Sequence, residues 1–82
     1  MAMDGIIRVS LQTKGAKLDA ELYGTLTAGG VFTKVGTASY TCSGKQEAAI
    51  VDVVKGLATW LAETHVTDRV DFVSVTLARH TP

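Results

Sequence analysis

The sequence predicts a small α+β fold, a four-stranded sheet running β-β-β-α-β along the chain with one helix packed on one face. Three observations carry this. Residues 43–64 repeat their apolar side chains with helical period, the segments before and after alternate with period two, and 82 residues suffice for a single domain spanning 1–82. A right-handed crossover through the helix brings the last strand beside the first. The expected spatial order is therefore 3-2-1-4, with three antiparallel strands and a fourth parallel to the first.

Each element has its own signal. Ile7, Val9 and Leu11 alternate with Arg8, Ser10 and Gln12, the pattern of a half-buried strand. Lys14-Gly15-Ala16-Lys17 supplies a turn. Leu18, Ala20, Leu22, Gly24 and Leu26 then alternate with Asp19, Glu21, Tyr23 and Thr25, which reads as a second strand with one apolar face. Ala28-Gly29-Gly30 closes a hairpin onto a third strand. Its register follows from burial. A three-residue loop with Gly30 left-handed sets Phe32, Gly36 and Tyr40 opposite Leu26, Leu22 and Leu18; a two-residue loop would put Thr33, Thr37, Ser39 and Thr41 there instead. The favoured register leaves a threonine-rich ladder on the solvated face. It also gathers Ala20, Gly24, Gly36 and Ala38 on the core face, together with Lys34, whose ammonium snorkels outward.

Ser43 followed by Gln46 has the spacing of a capping box and opens the helix. At ~100° per residue, Ile50, Val54, Leu57 and Leu61 share one line. Ala49, Val53, Gly56 and Trp60 widen it on one side, Val51 and Ala58 on the other. The apolar arc covers roughly two-thirds of the circumference, more than one sheet covers. A second partner is implied, with Ala49, Val53, Gly56 and Trp60 as the candidate interface. Gly56 costs ~1 kcal/mol in mid-helix, which points to close packing there. Val70, Phe72, Val73, Val75 and Leu77 mark the last strand, over residues 70–77.

Charge and composition exclude several classes. Eight basic residues balance eight acidic ones, so the excess positive charge of a non-specific nucleic-acid binder is absent. No apolar run approaches the length of a membrane span, and no basic-then-apolar leader opens the chain. A cytoplasmic protein is expected, with Met1-Ala2-Met3 compatible with a cloning addition. Cys42 is the single cysteine, so no internal disulfide forms.

The succession of elements is similar to the beginning of the ribonuclease H fold, and Glu47 near the helix start resembles that family's helix carboxylate. The resemblance implies further metal-binding carboxylates on the first strand and at the end of the fourth. Residues 6–13 contain none, and Ser74-Val75-Thr76-Leu77-Ala78 contains none. Ser43-Gly44-Lys45 resembles the end of a phosphate loop, but Gln46 stands where that motif needs Ser or Thr. Cys42, His65 and His80 lack zinc-ligand spacing. Tyr23, Arg8, Lys17, Phe72, Val70 and Ile6 are candidates for an aromatic-basic sheet face of the kind that stacks single-stranded bases, with Asp19 and Glu21 opposing it.

The sequence therefore leads to a non-enzymatic interaction module that self-associates as a homodimer or higher oligomer, with no catalytic, cofactor or metal residues assigned. The alternatives are an enzyme or ligand-binding protein with a site between subunits, whose first candidates are Lys34, Tyr40, Glu47 and Asp71, and a weak nucleic-acid binder.

Overall fold

A computed structural model describes residues 1–12 and 16–81. The Lys14-Gly15 turn expected from the sequence lies outside the described residues. The elements are β1 (Ala2–Leu11), α1 (Ala16–Leu26), a 3-10 turn (Ala28–Gly30), β2 (Thr33–Gly36), β3 (Ser39–Gln46), α2 (Glu47–Leu61), a one-turn α3 (Thr64–Thr67) and β4 (Val70–Arg79). The fold is α+β with a four-stranded sheet, and its order is β2-β3-β1-β4. As expected, the last strand lies beside the first at an outer edge.

The largest correction concerns residues 18–26, which form α1 and not a strand. Leu18, Leu22 and Leu26 stand four apart, a spacing that suits both periods, since it is twice two and close to 3.6. The residues between them decide. Ala20 and Gly24 add almost no apolar payload to a strand face. The segment is also rich in Ala, Leu, Lys and Glu, all good helix formers. In the helix the three leucines are buried while Ala20 and Gly24 are exposed.

That change propagates. With a helix after β1, the long third strand becomes a hairpin of β2 and β3, closed where Gly36 pairs with Ser39. Gly30 is left-handed as expected (φ 69°), but it ends the turn between α1 and β2. Every pairing in the sheet is antiparallel, β4 with β1 included, so the fourth strand is not parallel to the first. The added helix inverts the direction in which α2 delivers the chain. Strands β1 and β2 run parallel with β3 between them, and β3 and β4 run parallel with β1 between them. This is the β-α-β-β-α-β arrangement of two interlocked split βαβ units. The topological likeness to ribonuclease H lapses with it.

The helix α2 starts at Glu47, later than expected. Residues 43–46 instead extend β3, where Ala2 pairs with Gln46 and Met3 with Lys45. The Ser43–Gln46 capping box is therefore not formed, and Gln46 precedes the helix without a side-chain cap. A bulge absorbs the register shift between Met3 and Gly5, with Gly44 left-handed (φ 63°).

The helices lie on one face of the sheet. Ile7 and Val9 of β1, Tyr40 and Cys42 of β3, Leu22 and Leu26 of α1, and Ile50, Val53, Leu57 and Trp60 of α2 form the core with Phe32 and Val66. Lys34 shares the register position of Tyr40 but is exposed at the β2 edge. The opposite face of the sheet has no covering layer among the described residues.

Candidate interaction surface

The sequence leaves a choice for the surplus apolar surface of α2, between another chain and its own. Val53 and Trp60 are 5 % exposed within a single chain, because α1 lies against that flank. The indole Nε1–H of Trp60 donates to Glu21 Oε1 of α1 at 2.9 Å. A Cβ added at Gly56 would meet Thr25 at 3.8 Å, an ordinary contact, so close packing does not account for this glycine. Ala49, Val53 and Gly56 also line a depression shared with Thr25 and Val31. The extra helix α1 thus covers Val53 and Trp60 of this flank, while Gly56 stays exposed and Ala49 half-buried.

Of the residues proposed for a site between subunits, Lys34 and Tyr40 stand opposite each other across β2 and β3, while Glu47 and Asp71 lie on other elements. Tyr40 is buried in the core, and burial pushes its phenol pKa up. Lys34 lines a shallow depression with Tyr23 and Thr27. Glu47 is exposed at the start of α2, its backbone N–H donating to Met1 O. Asp71 is exposed on β4, 3.5 Å from the Ser10 hydroxyl that donates to it. Tyr23 and Lys17 belong to α1, so the aromatic-basic sheet face retains Ile6, Arg8 and Phe72.

Two carboxylate–imidazole pairs appear that sequence spacing did not reveal. His65 Nε2 lies 2.8 Å from Glu21 Oε1. An ionised carboxylate only accepts, so that nitrogen carries the proton. The bonds from His65 and then Trp60 hold the Glu21 carboxyl below its usual range, with burial opposing weakly. Asp4 Oδ1 accepts from the Gly44 N–H at 2.9 Å and faces His80 Nδ1 at 2.9 Å. The Gly44 amide, then His80, lowers its carboxyl likewise. The potential ligand atoms of Glu21, Glu63 and His65 fall within 4.8 Å of one another, and the Glu21–His65 hydrogen bond satisfies two of them without an ion. Reading 18–26 as a helix is the signal that would have brought Glu21 to the α2 side. The pairing of strand ends is what brings Asp4 to His80. Burial raises the Cys42 thiol pKa, which disfavours it as a nucleophile.

The exposed apolar side chains are scattered, with Val35 of β2 (60 %) and Tyr23 of α1 (52 %) among them, and three of them, Phe72, Val75 and Leu77, lie on β4. This edge strand has ten residues, whereas the opposite edge, β2, has four. Val73, Val75 and Leu77 pair with Val9, Ile7 and Gly5 and so share the helix-side face. Yet α2 packs over β1 and β3, and Val75 and Leu77 remain 40 % and 39 % exposed. Phe72, on the other face, is 55 % exposed, and Ile6 beside it on β1 is 41 %. Val51, on the flank of α2 turned away from α1, is 38 % exposed. No known protein family, curated protein or solved structure matches the chain. No helix among the described residues is long and apolar enough to cross a membrane.

Proposed function

We propose that this chain is a small, non-enzymatic interaction module that works as a homo-oligomer, and that it associates through its sheet edge and not through the Trp60 flank of α2. The observation that carries this is β4, a long edge strand whose Val75 and Leu77 remain about two-fifths exposed. A long, apolar edge offers unpaired backbone donors and acceptors to another chain. The balanced charge sets up little repulsion between copies. Sedimentation velocity at micromolar to submillimolar concentration tests the reading. A concentration-dependent rise in mass supports it, and a monomer throughout that range overturns it.

A second reading rests on the other face. Arg8, Ile6 and the exposed Phe72 share the open side of the sheet, beside a groove of about 670 Å³ lined by Thr33, Thr41, Thr76 and Ala78. An exposed aromatic with a neighbouring guanidinium is a stacking platform for single-stranded bases. Retention of a labelled oligonucleotide at low salt, lost on Phe72→Ala, supports this reading. No retention removes it.

A further inference from the structure

We propose that Glu21, Glu63 and His65 form a binding site for one divalent transition-metal ion of the zinc class, held between α1 and the corner where α2 passes into α3. The site is independent of the self-association proposed above.

The backbone brings the three ligands together. On one continuous helix, residues two apart point ~200° away from each other, so Glu63 and His65 would not share an ion. Glu63 is instead extended (φ −71°, ψ 137°) between α2 and α3, and its side chain makes no capping bond to α3. This break turns both side chains toward Glu21 on α1, where one ligand atom from each of the three residues lies within 4.8 Å of the others. Ligand atoms held at roughly 2.0–2.2 Å from a tetrahedral zinc stand about 3.4 Å apart. That spacing lies between the 2.8 Å from Glu21 Oε1 to His65 Nε2 and the 4.8 Å limit. Glu63 and His65 are exposed, with room to rotate into it.

The surroundings favour a cation. Among the described residues no lysine or arginine is in ion-pair contact with either carboxylate. Glu63 is bonded through its backbone only, which leaves its carboxylate for the ion. Glu21 is oriented from behind, since Trp60 Nε1–H donates to its Oε1 at 2.9 Å, the kind of outer bond that fixes a metal-bound carboxylate. The donor set selects the ion. An imidazole nitrogen suits zinc and its neighbours, whereas Mg²⁺ and Ca²⁺ prefer oxygen throughout. On binding, His65 Nε2 gives up the proton it shares with Glu21 and takes the ion. A proton returns on Nδ1, so the imidazole stays neutral. Three protein ligands leave the remaining coordination to water.

Zinc titration of the untagged chain by calorimetry tests this site. Trp60, the single tryptophan, is a second reporter: Co²⁺ held by its partner Glu21 is expected to quench its fluorescence, and Zn²⁺ to reverse the quenching by competition. One ion per chain is expected to bind at micromolar Zn²⁺ and to raise the melting temperature, with Mg²⁺ at the same concentration doing neither. Glu63→Gln and His65→Gln are each expected to weaken zinc binding by at least about tenfold, and Trp60→Phe by about tenfold through loss of the bond that orients Glu21. His80→Gln, which removes the other imidazole, is expected to leave binding unchanged, and circular dichroism verifies the fold of every variant. Glu63→Gln is decisive, because the Glu21–His65 hydrogen bond alone does not need Glu63. Zinc binding that Glu63→Gln and His65→Gln leave unchanged, equal binding of Mg²⁺, or a wild-type chain that takes up no zinc at micromolar concentration overturns the site.

Discussion

The two halves of this sheet are built from the same residue types and meet different fates. Strands β1 and β3 carry Ile7, Val9, Tyr40 and Cys42 beneath two helices, and all four are buried. Strand β4 carries Val73, Val75 and Leu77 on the same side, and two of these remain about two-fifths exposed. Strand composition therefore does not decide burial here. The placement of α1 and α2 does, and two helices do not span four strands evenly. The uncovered strand is where an added partner gains most, while the covered pair already supplies the stability of the single chain.

Substitutions break this comparison in a definite order. Ile50→Ala, which removes a fully buried side chain above the covered half, is expected to lower the unfolding free energy by roughly 2–5 kcal/mol. Urea denaturation at low protein concentration measures it. Val75→Ala in the same assay is expected to cost under about 1 kcal/mol, because its side chain is half solvated before unfolding. A cost for Val75→Ala equal to that of Ile50→Ala would erase the distinction between the halves.

Gly5 joins the halves. A Cβ there would stand 3.0 Å from Leu77 Cδ2, 3.1 Å from Phe32 Cζ and 3.2 Å from Cys42 Sγ. Gly5→Ala is expected to destabilise by roughly 1–3 kcal/mol through overpacking, and Gly5→Ala with Leu77→Ala to recover some of that loss. Equal denaturation midpoints for the single and double variants would show that Leu77 does not close over Gly5.

Acid probes the ties at the margins of the two halves. Glu21 and Asp4 both have carboxyl pKa values lowered on folding. Each therefore contributes stability that is complete above its unfolded-state pKa and lost as pH falls through its folded-state pKa. Thermal melts are expected to fall on acidification below about pH 5. Glu21→Gln and Asp4→Asn should each flatten that fall, and an unchanged profile in both would remove these ties from the account.

The smallest effect has the opposite sign. Gly56 in α2 and Gly24 in α1 have room for a methyl group, at 3.8 Å from Thr25 and with nothing within 4 Å respectively. Gly56→Ala and Gly24→Ala are each expected to raise stability by roughly 0.5–1 kcal/mol. Destabilisation at Gly56 would restore the close approach inferred from its sequence position.

Much of the fold was legible because a single period explained each segment. The helix of α2 and the β-branched run of β4 both stand where the sequence puts them, although the buried line of α2 is Ile50, Val53, Leu57 and Trp60, turned from the 50, 54, 57, 61 line toward the flank that α1 covers. Residues 18–26 misled because leucines four apart satisfy two periods at once, and an alternating polar set between them favoured the wrong one. The start of α2 misled because a local capping signal at Ser43 competes with a pairing partner, Ala2–Met3, that no local pattern exposes. The uncovered edge was illegible for the same reason. Which strand a helix fails to cover depends on topology, and the topology turned on residues 18–26. The side-chain pairs followed suit, since Glu21 meets His65 and Asp4 meets His80 only across separate elements.

The pairing of β1 with β4 also bears on mechanical strength. Met3 stands opposite Arg79, and the His80 N–H donates to Ala2 O at 3.1 Å, so both outer ends of this strand pair emerge at the same corner. A load applied between Ala2 and Arg79 would act across the ladder and not along it. The hydrogen bonds would then break in succession, like a zipper opened from its tab, and none would share the strain with its neighbours. Tethered through these two positions the protein should yield at low force, whatever its resistance to urea. Tethered through Ala2 and Gln46, which face each other across β1 and β3, it should open from the same corner through its other seam.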